Sequence, residues 1–255
     1  MHPTIDLDFI EIPVYTALVT LGALVGMLTT WTCLQIRFRR AATARLFWDG
    51  ALVALIAGWV GARAYHAATH WDYYSARPDE IAQIGLGGLA MRGALLAGVV
   101  AVLLYTRWRG IAFARLADAI ALGLAVGQAI GWAGALVQGA NYGIENDWLI
   151  AMDLPDLYGL VAPRFPLQLA EITLFAALFI GLVIFAFSKP RAGALAATYL
   201  VVSSAANLAL GFQRGDETLW LAGLRLDQWF DAGAIAVALV FWLWIRRGGN
   251  GGINQ

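Results

Sequence analysis

The sequence predicts an all-α integral membrane protein, a bundle of seven transmembrane helices with the N-terminus outside and the C-terminus in the cytoplasm. Three observations carry that prediction: an apolar composition, seven apolar stretches of membrane-crossing length, and an alternation of basic and acidic links between them. Of 255 residues, 60% are hydrophobic and 13% charged, with a mean hydropathy of +0.68, a balance at odds with the charged surface of a soluble domain. Lys+Arg and Asp+Glu are each 17, so net charge points to no nucleic-acid partner. The one cysteine, Cys33, lies in the first apolar run, which excludes an intrachain disulfide and a thiol metal cluster.

Stretches long enough for about 30 Å of hydrocarbon run over 14–36, 48–68, 87–106, 117–139, 166–188, 192–212 and 230–245. Short basic links hold Arg37, Arg39, Arg40 and Arg45, then Arg107, Arg109 and Arg115, then Lys189 and Arg191, with Arg246 and Arg247 after the last stretch. The links between them are acidic and carry Asp72, Asp79, Glu80, Glu145, Asp147, Asp153, Asp156, Asp216, Glu217, Asp227 and Asp231. Short basic links face the cytoplasm, and seven spans alternating from an outside N-terminus put every basic group on that side. The N-terminal segment carries Asp6, Asp8 and Glu11 where a secretion signal has basic residues, so it is expected to be retained. A single membrane domain over 1–247 is expected, followed by a Gly- and Asn-rich, disordered cytoplasmic tail over 248–255.

Helices in lipid associate through close backbone approach. Gly123, Gly127, Gly131 and Gly134 recur three or four apart along the fourth stretch, so that helix is expected inside the bundle, in contact with several others.

An ionisable side chain within a membrane costs at least about 2.5 kcal/mol on insertion scales, so each one needs a partner, a wet cavity or the interface. Arg63, Arg92, Asp118 and Glu171 are such groups. Pairing between helices or snorkelling accounts for Arg63 and Asp118. Arg92 has glycines on both sides over 87–98, which permit a bent or re-entrant backbone beside a cavity. Toward the outer half lie Gln128, Gln138 and Asn141, then Gln168 and Glu171, then Arg214, Arg225, Asp227 and Gln228. Guanidinium groups bind phosphate in bidentate fashion. A pocket shared by Arg92 and Arg214 would therefore suit a phospholipid headgroup; the alternative is that the outer arginines pair with neighbouring acids. His66 and His70 fall on one helical face but lack a third ligand, so no metal site is expected. Nothing calls for a cofactor. Trp71, Tyr73, Tyr74, Trp220 and Trp229 read as outer interfacial anchors, and Trp242 and Trp244 as inner ones.

Several segments fit one family in order and spacing over most of the chain. They are Met1-His2-Pro3 with Ile12-Pro13-Val14-Tyr15, Gly61-Ala62-Arg63 with Trp71-Asp72-Tyr73-Tyr74, and Gly87-Gly88-Leu89-Ala90-Met91-Arg92-Gly93. Then come Gly127-Gln128-Ala129-Ile130-Gly131 through Asn141-Tyr142-Gly143, and Pro166-Leu167-Gln168-Leu169-Ala170-Glu171. Together they resemble the bacterial prolipoprotein diacylglyceryl transferase family. The resemblance implies a multi-pass protein of the bacterial inner membrane that moves the diacylglyceryl group of phosphatidylglycerol, or another anionic phospholipid, to a lipobox cysteine thiol of a preprotein. Such an enzyme holds an anionic headgroup, helps deprotonate the thiol and stabilises the departing glycerol phosphate.

The sequence departs from the family pattern at signature positions. Arg92 stands where the family has a histidine and Trp132 where it has an arginine. Ala135, Gln138 and Ala140 replace asparagine, asparagine and glutamate, and Phe165 replaces a histidine. Arg63, Gln128, Gln168, Glu171, Arg214 and Gln228 are kept. The resemblance thus implies Arg92, Arg214 and Glu171 as catalytic candidates, with Arg63, Gln128, Trp132, Gln138, Asn141, Gln168 and Gln228 around the lipid. Two readings follow: a divergent transferase in which Arg92 takes over the phosphate charge, and a non-catalytic relative that keeps the lipid cavity, for binding or as a scaffold among other membrane subunits. A channel or transporter would show Pro-broken helices or a ring of like charges, and neither pattern is present.

Overall fold

The computed structural model describes residues 3–6, 11–38, 41–83, 88 and 90–247. The expectations placed on Met1-His2, Arg39, Arg40, Gly87, Leu89 and the tail 248–255 lie outside the described residues. The chain divides into two compact units, Met1–Cys33 with Ala114–Gln255, and Leu34–Phe113.

The larger unit starts with a hairpin of β1 (Thr4–Asp6) and β2 (Glu11–Pro13) and continues into α1 (Val14–Phe38), most of which belongs to it. After the smaller unit come α5 (Phe113–Gln138), α6 (Leu167–Phe187), α7 (Ala194–Leu210) and α8 (Leu226–Arg247). Between α5 and α6 lies the hairpin of β3 (Met152–Pro155) and β4 (Val161–Arg164), and before α8 the short pair β5 (Trp220–Leu221) and β6 (Leu224–Arg225). Leu122, Ala125, Phe175, Leu178, Leu182, Leu195 and Tyr199 pack together where α5, α6 and α7 meet, and Trp132 packs against this cluster.

Small residues let α1 and α5 touch along their backbones. A Cβ on Gly22 would lie 2.6 Å from the Gly127 carbonyl oxygen, and one on Gly26 would lie 2.7 Å from that of Gly123. Gly134 sits against Leu18 and Tyr15. Gly131 differs, because a Cβ there would meet nothing within 4 Å among the described residues, and the glycine row is a helix seam only in part. The helix ends where Gly139 takes φ +71°, with Ala140 N–H donating to Ala135 O and Gly139 N–H to Leu136 O, the paired bonds of a Schellman stop that needs a left-handed residue. Asp118, buried in α5, accepts the N–H groups of Gly193 (2.8 Å) and Ala196 (3.0 Å). It caps the start of α7 from another helix, satisfying donors that water would otherwise take.

The smaller unit holds α2 (Ala41–Thr69), the single turn α3 (Trp71–Tyr74), a 3-10 turn Pro78–Ala82 and α4 (Met91–Trp108). Glycines again allow close approach: a Cβ on Gly93 would lie 2.3 Å from the Gly61 carbonyl oxygen, and one on Gly58 would lie 3.2 Å from that of Ala94.

Six helices among the described residues are long and apolar enough to cross a membrane, within α1, α2, α5, α6, α7 and α8. The third apolar stretch of the sequence forms α4, which is 18 residues long and carries Arg92 in its first turn and Arg107 in its last. The uncharged stretch between them covers about 21 Å at 1.5 Å per residue.

Candidate functional site

In the larger unit the polar residues singled out in the sequence converge on the segments that follow α5 and α7. Gly143 bridges Arg214, with Ile144 N–H donating to Gln213 O and Gly215 N–H to Tyr142 O, both at 2.9 Å. The next bridge, Glu145 to Arg164, extends the pairing to β4 and thence to β3. Arg214 is thereby fixed on a small antiparallel sheet whose strands must lie close: a Cβ on Gly215 would sit 2.7 Å from the Gly143 carbonyl oxygen.

The Arg214 guanidinium is held by a carboxylate and an amide. Nε and Nη2 grip both oxygens of Asp216, at 2.8 and 2.6 Å, and Nη2 also donates to Asn141 Oδ1 at 2.8 Å. Nη1 makes no hydrogen bond among the described residues; its nearest acid is Asp227, with Oδ2 at 3.6 Å. Burial opposes the Arg214 charge, but the Asp216 hydrogen bonds and the fields of Asp216, Asp227 and Glu171 outweigh it and raise the pKa above the usual arginine value. The group is a permanent cation whose Nη1, with Asp227 at 3.6 Å and no hydrogen bond among the described residues, has donor capacity for a further acceptor.

Arg225, 2% exposed, braces this clamp by donating to Asp216 Oδ1 at 3.1 Å and to the Asp216 carbonyl at 3.0 Å. Gln228 has both ends of its amide committed to backbone, accepting from Arg225 N–H and donating to Leu208 O, each at 3.0 Å. Gln168 donates to Ala140 O at 3.0 Å while its buried Oε1 meets no hydrogen-bond partner among the described residues. Glu171, 3% exposed on the second turn of α6, faces Asn207 of α7; in the amide orientation that satisfies both groups, the Asn207 nitrogen lies 3.2 Å from each carboxylate oxygen. Tyr199 donates to Gln128 Oε1 at 2.5 Å. Gln138 lines a cavity of about 140 Å³ with Pro155, Asp156 and Tyr158.

In the smaller unit Arg63, 6% exposed, organises a loop. Nε donates to Ile81 O (2.8 Å), Nη2 to Glu80 O (2.6 Å) and Gln83 O (3.2 Å), and Nη1 to Gly88 O (3.2 Å). Its guanidinium lies over the Tyr74 ring at 5.3 Å, so Tyr74 is buried and is not one of the interfacial anchors expected from the sequence. Arg92 is half-buried at the start of α4, beside the Gly61/Gly93 seam. His66 and His70 stack with ring centroids 4.2 Å apart, although α2 ends at Thr69.

Sequence reasoning did not single out Asn207 and Tyr199. The signal was available, because an amide in the middle of an apolar stretch is costly without a partner.

The family model for prolipoprotein diacylglyceryl transferase matches residues 3–244. A phosphatidylglycerol–prolipoprotein diacylglyceryl transferase of Bacillus velezensis is 29% identical over 245 residues, covering 92% of this chain and 88% of the relative. The similarly named protein of Geobacillus kaustophilus is 30% identical with 91% and 87% covered, and that of Thermosynechococcus vestitus 28% with 88% and 81%.

Proposed function

The chain belongs to the prolipoprotein diacylglyceryl transferase family, and from that premise we propose that it binds phosphatidylglycerol, or another anionic phospholipid, in the bacterial inner membrane and transfers the diacylglyceryl group to a lipobox cysteine thiol. Its relatives carry the name of that reaction. With α4 counted as a span there are seven, with the short basic links inside and the N-terminus outside. The Arg214 sheet then lies on the outer side, where a secreted preprotein arrives.

The observation that carries the reading is the donor capacity at Arg214 Nη1. Asp216 and Asn141 fix the guanidinium without closing it, so a lipid phosphate can dock on an oriented cation. In the reaction, the thiol sulfur forms a bond to the glyceryl carbon. The carbon–oxygen bond to phosphate breaks, and glycerol phosphate leaves with the electron pair. The thiol proton needs an acceptor, and Glu171, whose carboxylate the Asn207 amide orients, takes that role.

One observation favours a second reading, a lipid-binding or scaffold subunit without turnover. Trp132 packs against the apolar cluster of α5, α6 and α7 and cannot donate to phosphate as an arginine does; one missing transition-state donor costs about 10² to 10³ in rate. Purified protein incubated with phosphatidylglycerol and a lipobox peptide decides between them. A diacylglyceryl mass increase on the cysteine establishes the transferase. Retained lipid without transfer indicates the binding subunit, and absence of both rejects the two readings together.

A further inference from the structure

The β3–β4 hairpin does not stand away from the helices. Its turn folds back beside the last turn of α5: Asp156 and Tyr158 share a cavity wall with Val137 and Gln138, and the Asp156 carbonyl oxygen would lie 2.3 Å from a Cβ on Gly139. Val137 is exposed, at 39%, and belongs to a membrane-crossing helix. The hairpin turn therefore sits level with the end of an apolar helix of membrane-crossing length, next to an exposed apolar side chain.

What the turn displays there is apolar. Tyr158 is 81% exposed, Leu160 63% and Val161 59%. A loop in water rarely presents such a run without a partner, whereas tyrosine and aliphatic side chains suit the headgroup boundary. The acid of the turn is directed inward. Asp156 accepts the N–H groups of Tyr158 and Leu160, both at 2.9 Å, through Oδ1, and Arg164 Nη2 at 3.3 Å through Oδ2. That clamp holds the turn in shape before it meets a partner, so little ordering cost opposes insertion.

We propose that the β3–β4 hairpin is an interfacial anchor whose turn, Tyr158 to Val161, embeds in the outer leaflet at the boundary of headgroup and acyl chain. The backbone pairing of β4 with Glu145, and of Gly143 with Arg214, then transmits that depth to the guanidinium and sets it at the level of lipid phosphates. The embedding rests only on α5 crossing the membrane; the depth-setting rests on the phosphate reading of Arg214.

The test uses the full chain with Cys33→Ser and a single added cysteine, Tyr158→Cys, Leu160→Cys or, as an aqueous reference, Glu217→Cys, labelled with an environment-sensitive fluorophore in phosphatidylglycerol/phosphatidylethanolamine vesicles. Embedding predicts blue-shifted emission at 158 and 160, at least about threefold less quenching by aqueous iodide than at 217, and strong quenching by lipids brominated near the top of the acyl chain. Iodide quenching at 158 and 160 equal to that at 217 overturns the proposal. So does protection that develops only on adding a lipobox peptide, which would make the hairpin a peptide-docking edge. The readout needs no turnover, so labels that stay embedded in an Arg214→Ala background, with lipid binding unchanged by that substitution, would reject the phosphate reading and leave the anchor standing.

Discussion

Arg63 and Arg214 are both arginines near the ends of apolar helices, the first buried and the second half-buried, and their surroundings treat the same cation in opposite ways. Arg63 donates to four backbone carbonyls of one loop and thereby gives that loop its shape. Arg214 is gripped by a carboxylate and an amide, while Nη1 makes no hydrogen bond among the described residues and faces the more distant Asp227. Carbonyls take up the donors of the first arginine. The carboxylate aims the second. An arginine is thus a structural post when its donors are divided among the carbonyls of one loop, and a candidate anion receptor when rigid partners leave one of its nitrogens without a hydrogen bond.

The sharpest way to break this contrast is Arg63→Ala. It takes the donor from four partly buried carbonyls, each hydrogen bond contributing about 0.5–1.5 kcal/mol, so thermal unfolding in detergent should show a loss of at least about 2 kcal/mol. A variant of wild-type stability that fails to hold lipid would reverse the assignment. Arg214→Lys keeps the charge but loses that grip, and is expected to weaken retention of anionic lipid about 10- to 100-fold, read by mass spectrometry of the purified protein. Asn207→Leu withdraws the amide from Glu171 and should cost about 1–2 kcal/mol. The loss should shrink in a Glu171→Gln background, and an undiminished loss would show that the two side chains are not coupled. The smallest effect expected is a gain. Asp227→Asn removes the acid nearest Nη1 of Arg214, a partly screened pair worth about 0.5–1 kcal/mol, and should tighten anionic lipid binding by a few-fold in a vesicle titration.

The membrane class and the helices were legible in the sequence because apolar length and charge distribution are local properties. The packing of α5 was half legible. Spacing marks Gly123, Gly127, Gly131 and Gly134 alike, but only contact with a neighbour separates Gly123 and Gly127, which abut α1, from Gly131, where a Cβ would meet nothing within 4 Å among the described residues. Partners were harder. Arg63 and Asp118 announced that they needed company, yet the company proved to be backbone, carbonyls 17 to 25 positions away for the one and N–H groups 75 and 78 positions away for the other. Backbone groups carry no sequence identity, so no pattern of residue types could have named them. Arg214 and Asp216 stood two apart in plain view, and their pairing depended on a turn that only the bridge to Gly143 reveals. Asn207 was visible as a lone amide in an apolar run and passed over.

The Asp118 cap bears on how the bundle is assembled. The first turn of α7 owes two of its hydrogen bonds to a carboxylate carried by α5, and both are buried. The hairpin of α6 and α7 is therefore not a portable module: excised, or threaded into lipid beside a different neighbour, it would arrive with two amides at its turn deprived of their carboxylate. Synthesis order suits this dependence, since the carboxylate is made long before the turn that requires it.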